Sequence, residues 1–196
     1  MYLNQVSLFA ISTTELTFEE RLDFATTSTP HTGKRKCVKA QDLADFFYLT
    51  GGKGATSLKK IEYTKDRAYA LPSGEVNIGS SFSKRTLWHE TGHHLEFESK
   101  DIEKAAGEWV KHHATSAESQ KLSELTGNKN YSDREKALPD SFINPYIGKI
   151  YPSGSTEVIS MGIEHFTDAK SMATLYLKDR KHFEFIIGAL LTKKQK

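Results

Sequence analysis

The stretch Thr86-Leu87-Trp88-His89-Glu90-Thr91-Gly92-His93-His94-Leu95 constrains this chain more than any other. It contains the pattern HExxH (His89, Glu90, His93) without an interrupting proline, and it reads as helix. On a helix, residues i and i+4 share one face, so both imidazoles can reach one metal ion. Glu90 sits about a quarter turn away. It is placed to take a proton from a water that the metal activates, without being a ligand itself. Two His ligands, an adjacent base and an open coordination position are the working half of a zinc hydrolase. Leu87, Thr91 and Leu95 fall on the opposite side, which predicts a core-facing stripe behind a His face that looks into a cleft. Gly92 costs roughly 1 kcal/mol of helix stability relative to Ala, which makes sense where another backbone must approach closely.

Composition narrows the partners. The chain has 196 residues, enough for one domain with a sizeable core. Lys and Arg total 27 against 25 Asp and Glu, a net charge of +2, so there is no strong case for nucleic acid or an anionic membrane. Hydrophobic residues make up 37% and aromatics 11%, which is polar without being compositionally disordered. A single cysteine, Cys37, excludes an intramolecular disulfide framework and suits a reducing compartment. It follows Lys34-Arg35-Lys36 and reads as a loop or core cysteine. Met1 to Ile11 lacks the basic start and cleavage site of a signal peptide, and no apolar run reaches the roughly 20 residues of a membrane span. The expectation is a soluble protein, cytoplasmic or phage-associated.

Along the chain, residues 1–57 read as a helical N-terminal part, 58–100 as strands plus the HExxH helix, and 101–196 as a helical C-terminal part. Thr14 to Ala25 and Gln41 to Leu49 show helical spacing, the second stopping at Gly51-Gly52, with Gly51 to Ser57 a flexible connector. Lys60 to Gly79 predicts two strands around the turn Leu71-Pro72-Ser73-Gly74. The second, Glu75 to Gly79, leads into the HExxH helix and is either a candidate edge for pairing with an extended peptide or one strand of an ordinary hairpin. Asp101 to Leu125 reads as one long helix ended by Gly127-Asn128, Asn128 to Pro139 as loop, and Tyr146 to Tyr151 as a short strand. Ser155 reads as the N-cap of a helix reaching Phe166, and helices follow near Ala169 to Leu177 and Lys181 to Leu191. Lys193-Lys194-Gln195-Lys196 reads as a solvated tail.

A catalytic zinc takes three protein ligands plus water, so a third donor is required. The metzincin continuation HExxHxxGxxH fails, because Glu96 and Ser99 stand where Gly and His are needed. Where some glutamate-ligand zincins place their Glu, this chain has His112. Two candidates remain on spacing. One is Glu157, on a helix whose polar face also holds Met161 and Glu164, seven residues being close to two turns. The other is a histidine of the next helix, His112 or His113. His94 reads as a packing or hydrogen-bonding residue.

Tyr146-Ile147-Gly148-Lys149-Ile150-Tyr151, followed by Thr156-Glu157-Val158-Ile159-Ser160-Met161-Gly162, resembles the C-terminal part of a zincin-like metallopeptidase domain. Such domains occur in phage and mobile-element proteins, often beside head-morphogenesis or toxin-like regions. The resemblance runs from the HExxH helix to Phe185-Ile186-Ile187-Gly188. HExxH is specific to the zincin superfamily; the TEVxSMG stretch is a softer match. The resemblance implies a gluzincin-type enzyme with Glu157 as third ligand. Two departures stand out. The gap from His93 is 157 − 93 = 64 positions, and the common ExxxD pattern is missing because position 161 is Met161. Glu164 is then the candidate partner for a ligating His. Tyr146, Tyr151 and His165 flank the Glu157 helix and are candidate oxyanion donors.

Together these readings predict an α+β zincin-like metallopeptidase fold in a single domain over 1–196, with a small antiparallel or mixed sheet beside the HExxH helix. Zn²⁺ would be held by His89, His93 and Glu157, with Glu90 as general base and a polypeptide as substrate. The alternatives are a catalytically silent zincin-fold interaction module of a phage or toxin protein, and a three-histidine protease acting on DNA-bound proteins.

Overall fold

The computed structural model describes residues 40–64, 67–80 and 83–192. The predicted helix at Thr14 to Ala25, the loop that follows it, Cys37 and the tail Lys193 to Lys196 lie outside the described residues. The architecture mixes helices with small sheets. In chain order come α1 (Ala40–Thr50), β1 (Lys60–Glu62), β2 (Tyr69–Ala70), β3 (Glu75–Asn77), α2 (Lys84–Glu98) and α3 (Lys100–His113). Then follow β4 (Gln120–Lys121), α4 (Leu122–Thr126), β5 (Lys136–Ala137), a 3-10 turn (Pro145–Gly148), α5 (Val158–Ile163), a second 3-10 turn (Glu164–Thr167), α6 (Ala169–Lys178) and α7 (Arg180–Leu191). Among the described residues, no helix is long and apolar enough to cross a membrane.

The HExxH segment forms α2, which Ser83 starts by accepting a hydrogen bond from Thr86 N–H at 3.0 Å. Ser99 ends α2 and caps α3 in turn. Leu87, Thr91 and Leu95 are buried behind the histidines. Trp88 packs edge-on to Phe46, and its indole N–H donates to the Asp42 carbonyl of α1 at 2.8 Å. These contacts fix the roll of α2 about its axis, and so the direction in which its histidines point.

Gly92 meets the expectation of a close approach. A Cβ there would lie 2.8 Å from Ile163 Cγ2 and 3.1 Å from Ser160 Cα, so α5 packs on α2 at a distance only glycine allows. On its other side α5 is held by His182 of α7, whose Nε2 lies 2.8 Å from the Val158 carbonyl.

The three-stranded sheet has the order β1-β3-β2, with β1 parallel and β2 antiparallel to β3. This corrects the reading of Glu75 to Gly79 as a free edge: β3 is central, its ladder positions filled on both sides, and β2 is the strand that borders the cleft. Gly51 to Ser57 is not a loose connector either. Gly51, Gly52 and Gly54 all adopt positive φ, and Glu98 of α2 accepts from Gly54 N–H at 2.8 Å and Ser57 N–H at 2.6 Å.

Three further expectations are revised. The long helix after Asp101 stops at His113, because Thr115 N–H and Oγ1 turn to the Pro139 carbonyl and Ala114 bridges Asp140. Tyr146 to Tyr151 is not a strand. Pro145 and the Asn144 side chain, which accepts from Tyr146 N–H at 2.9 Å, wind a 3-10 turn instead. The helix that Ser155 was expected to cap is a shorter α5, with Glu157 at its N-cap and a 3-10 turn continuing it. The last two helices fall where their periodicity places them.

Candidate metal centre

His89 and His93 project from one face of α2, with ring centroids 5.3 Å apart. Glu157, carried at the start of α5, reaches between them. Its Oε2 lies 3.2 Å from His89 Nε2 and 3.4 Å from His93 Nε2. A tetrahedral zinc with bonds of about 2.0–2.1 Å needs neighbouring donors about 3.3–3.4 Å apart, and both separations from Glu157 match that spacing. The metal-binding atoms of His89, Glu90 and His93 lie within 4.8 Å of one another.

Glu157 and His89 each have partners that orient them. Tyr151 O–H donates to Glu157 Oε1, and Ser160 O–H donates to Glu157 Oε2 at 2.8 Å. Glu164 Oε2 lies 2.9 Å from His89 Nδ1, and Arg85 donates to Glu164 Oε1 from Nε at 2.9 Å and from a terminal guanidinium nitrogen as well. An ionised carboxylate only accepts, so Nδ1 carries a proton toward Glu164, which leaves Nε2 as the nitrogen available to a metal.

The electrostatics agree. Burial works against charge on His89, but the Glu157 and Glu164 carboxylates outweigh it and raise the imidazole to about 10. His93 is raised in the same way, burial opposing and Glu157 prevailing. Burial opposes ionisation of Glu157 too, yet His93 and His89 hold it well below the usual carboxylate range. A donor set that draws protons onto its imidazoles is short of positive charge. A divalent cation would supply it and leave the rings neutral. Burial pushes Glu90 up, against the pull of His89 and His93, toward the range a general base needs.

The donors open onto a cavity of about 450 Å³ bordered by β2, Phe97, Tyr146 and Tyr151. A second cavity of about 330 Å³, with Arg85, Tyr131 and Asn144 in its wall, meets the first at His89 and Glu90. Arg67 belongs to both walls.

The remaining candidates separate cleanly. His113 stacks on Trp109 with centroids 4.3 Å apart, its Nδ1 lies 2.8 Å from that residue's carbonyl, and neither it nor the exposed His112 borders either cavity. His165 is also displaced from the oxyanion role: it is buried, with Nδ1 3.2 Å from the Ser171 carbonyl, and borders neither cavity. Tyr151 is committed to Glu157. Tyr146 remains at the cavity wall, its oxygen accepting from Arg67 at 2.9 Å and Lys149 at 3.2 Å. His94 is a packing residue, with Nδ1 2.7 Å from Ser57 Oγ.

Sequence reasoning passed over Arg67, Lys149, Ser160 and Glu96. Only Glu96 had a visible signal, since it stands seven residues after His89 and so on the same helix face. Burial pushes Glu96 up to about 7 despite two donors from Thr156.

Compared with protein-family models, with curated proteins and with solved structures, the chain matches none of them.

Proposed function

We propose that the protein is a zinc-dependent endopeptidase with a zincin-like fold, in which His89, His93 and Glu157 hold the metal. One observation carries the reading: Glu157 Oε2 stands 3.2 and 3.4 Å from the two Nε2 atoms of the HExxH helix, and Glu90 borders the same cavity. Zinc, when bound, would lower the pKa of a water in the open position to about 7 and polarise the scissile carbonyl. Glu90 accepts the proton of the attacking water and passes it to the leaving amine nitrogen. Tyr146, braced by Arg67 and Lys149, donates to the carbonyl oxygen as negative charge builds there. Glu164 keeps His89 in the ligating tautomer, and Tyr151 with Ser160 keeps Glu157 in place.

The substrate is read as a polypeptide cut internally, because two cavities meet at His89 and Glu90 and leave room for chain on both sides. The β2 edge offers backbone to an extended segment. Phe97, Leu71 and Pro72 make one side of the cleft apolar.

The test pairs zinc content with hydrolysis of a mixed-sequence peptide panel, for wild type and Glu90→Gln. Both should carry a single zinc per chain, and only the wild type should cleave. Cleavage by Glu90→Gln at the wild-type rate would remove Glu90 from the mechanism. Zinc without cleavage in the wild type would favour the silent interaction module.

A further inference from the structure

We infer that Glu96 is the positioning residue that sets Glu157 against His89 and His93. The inference rests on the reading of Glu157 as a metal ligand and concerns what places it there.

A metal site tolerates errors of only a few tenths of an ångström in its donors. Both histidines come from α2, so their mutual placement is a property of one helix. Glu157 comes from 64 positions beyond His93 (157 − 93) and sits at the N-cap of a helix of 6 residues. Tyr151 and Ser160 hold its carboxylate, but neither holds its main chain to α2.

Glu96 does. Its Oε2 accepts from Thr156 N–H at 2.8 Å, and its Oε1 accepts from Thr156 O–H at 2.7 Å. Thr156 Oγ1 in turn accepts from Val158 N–H at 3.1 Å. The peptide N–H groups before and after Glu157 are therefore tied to one carboxylate of α2, the first directly and the second through a hydroxyl. Helical bonding in α5 begins only with Met161 N–H on the Glu157 carbonyl, so Val158 N–H has no acceptor within the helix. Glu96 and Thr156 are 1% and 5% exposed, so no water is at hand to take over these bonds.

The bond spans 60 residues and joins the two segments that carry the donors. His89, His93 and Glu96 follow one another as i, i+4 and i+7 on a single helix face. One face of α2 thus supplies two ligands and the anchor for the third. A local cap on α5 needs only a nearby Ser, Thr, Asp or Asn. A buried carboxylate reaching across from the HExxH helix is costly, and the paired donors it accepts offset part of that cost.

The test measures zinc affinity by chelator competition on the full chain, for wild type, Glu96→Ala, Glu96→Gln, Thr156→Val and Glu157→Ala. Far-UV circular dichroism and melting of the zinc-free proteins are recorded alongside. Glu96→Ala should remain folded at the assay temperature and bind zinc about 10–100-fold more weakly. Glu96→Gln, which keeps an acceptor for Thr156 N–H, should recover most of that loss, and Thr156→Val should bind more weakly than wild type. A purely structural role would lower the melting temperature of Glu96→Ala and leave its zinc affinity alone, which overturns the inference. An equal loss in Glu96→Gln would assign the effect to charge and overturn it as well. Should Glu96→Ala fail to fold, Thr156→Val decides: wild-type affinity there rejects the positioning role. If the wild type binds no zinc, or Glu157→Ala binds as tightly as wild type, the ligand reading itself has failed, a result distinct from a tight-binding Glu96→Ala.

Discussion

Glu164 Oε2 lies 2.9 Å from His89 Nδ1 and thereby decides which nitrogen of that ring faces Glu157. Burial alone would favour the protonated acid, but His89 and Arg85 hold the Glu164 carboxyl below its ordinary range, so it stays an acceptor. Replacing it by Ala frees the ring to flip or change tautomer. Zinc affinity of Glu164→Ala should fall about 10–100-fold. Calorimetric titration with zinc checks this, and an unchanged affinity would show that the ring is oriented by something else.

Gly92 bears on stability. In an isolated helix Gly→Ala gains about 1 kcal/mol. Here the added Cβ would lie 2.8 Å from Ile163 Cγ2 and 3.1 Å from Ser160 Cα, and the second atom is backbone that cannot rotate away. Overpacking of this kind costs about 1–3 kcal/mol, so Gly92→Ala should be net destabilising by up to about 2 kcal/mol. Urea unfolding gives the sign directly, and a stabilised variant would mean that α5 stands further off than described.

In the proposed mechanism Tyr146 donates to the developing oxyanion. Removing one such donor typically costs about 10²–10³ in kcat. Tyr146→Phe should show that loss with KM and zinc content little changed. A rise in KM at constant kcat would instead make it a substrate-binding residue.

His94 predicts a pH dependence. Burial lowers its pKa to about 4, against an ordinary value of 6.5. Between these values the unfolded chain binds a proton that the folded protein does not. Stability is thus fully present above pH 6.5 and is lost as pH falls toward 4. His94→Gln keeps a partner for Ser57 but does not titrate. Its unfolding free energy should decline less than that of the wild type between pH 7 and pH 5. Parallel declines would show that His94 does not contribute to acid sensitivity.

Much of the ligand helix was legible locally. The i, i+4 spacing of His89 and His93, the core stripe of Leu87, Thr91 and Leu95, and the close approach at Gly92 follow from helical periodicity and from the absence of a side chain. Seven-residue spacing placed Glu157 and Glu164 on one side, and in the structure both carboxylates reach His89 although the helix itself covers only Val158–Ile163. The strands were harder. They are only two or three residues long, too short for alternation to reveal which is central, so β3 was mistaken for an edge. The overlong helix after Asp101 failed because the pairing of Ala114 and Thr115 with residues near Pro139 competes with helical bonding, and no local pattern announces it.

The sequence by itself determined two imidazoles on one helix face with a carboxylate a quarter turn away, because that geometry depends on nothing beyond ten consecutive residues. That Glu157 rather than His113 meets His89 and His93, that Tyr151 bonds Glu157, and that His165 stands away from both cavities are features of the tertiary structure. Each depends on how α5 docks against α2 across a gap of 64 positions (157 − 93), through Gly92, Glu96 and His182. Contacts at that separation are set by packing and buried hydrogen bonds, which leave no periodicity in the chain.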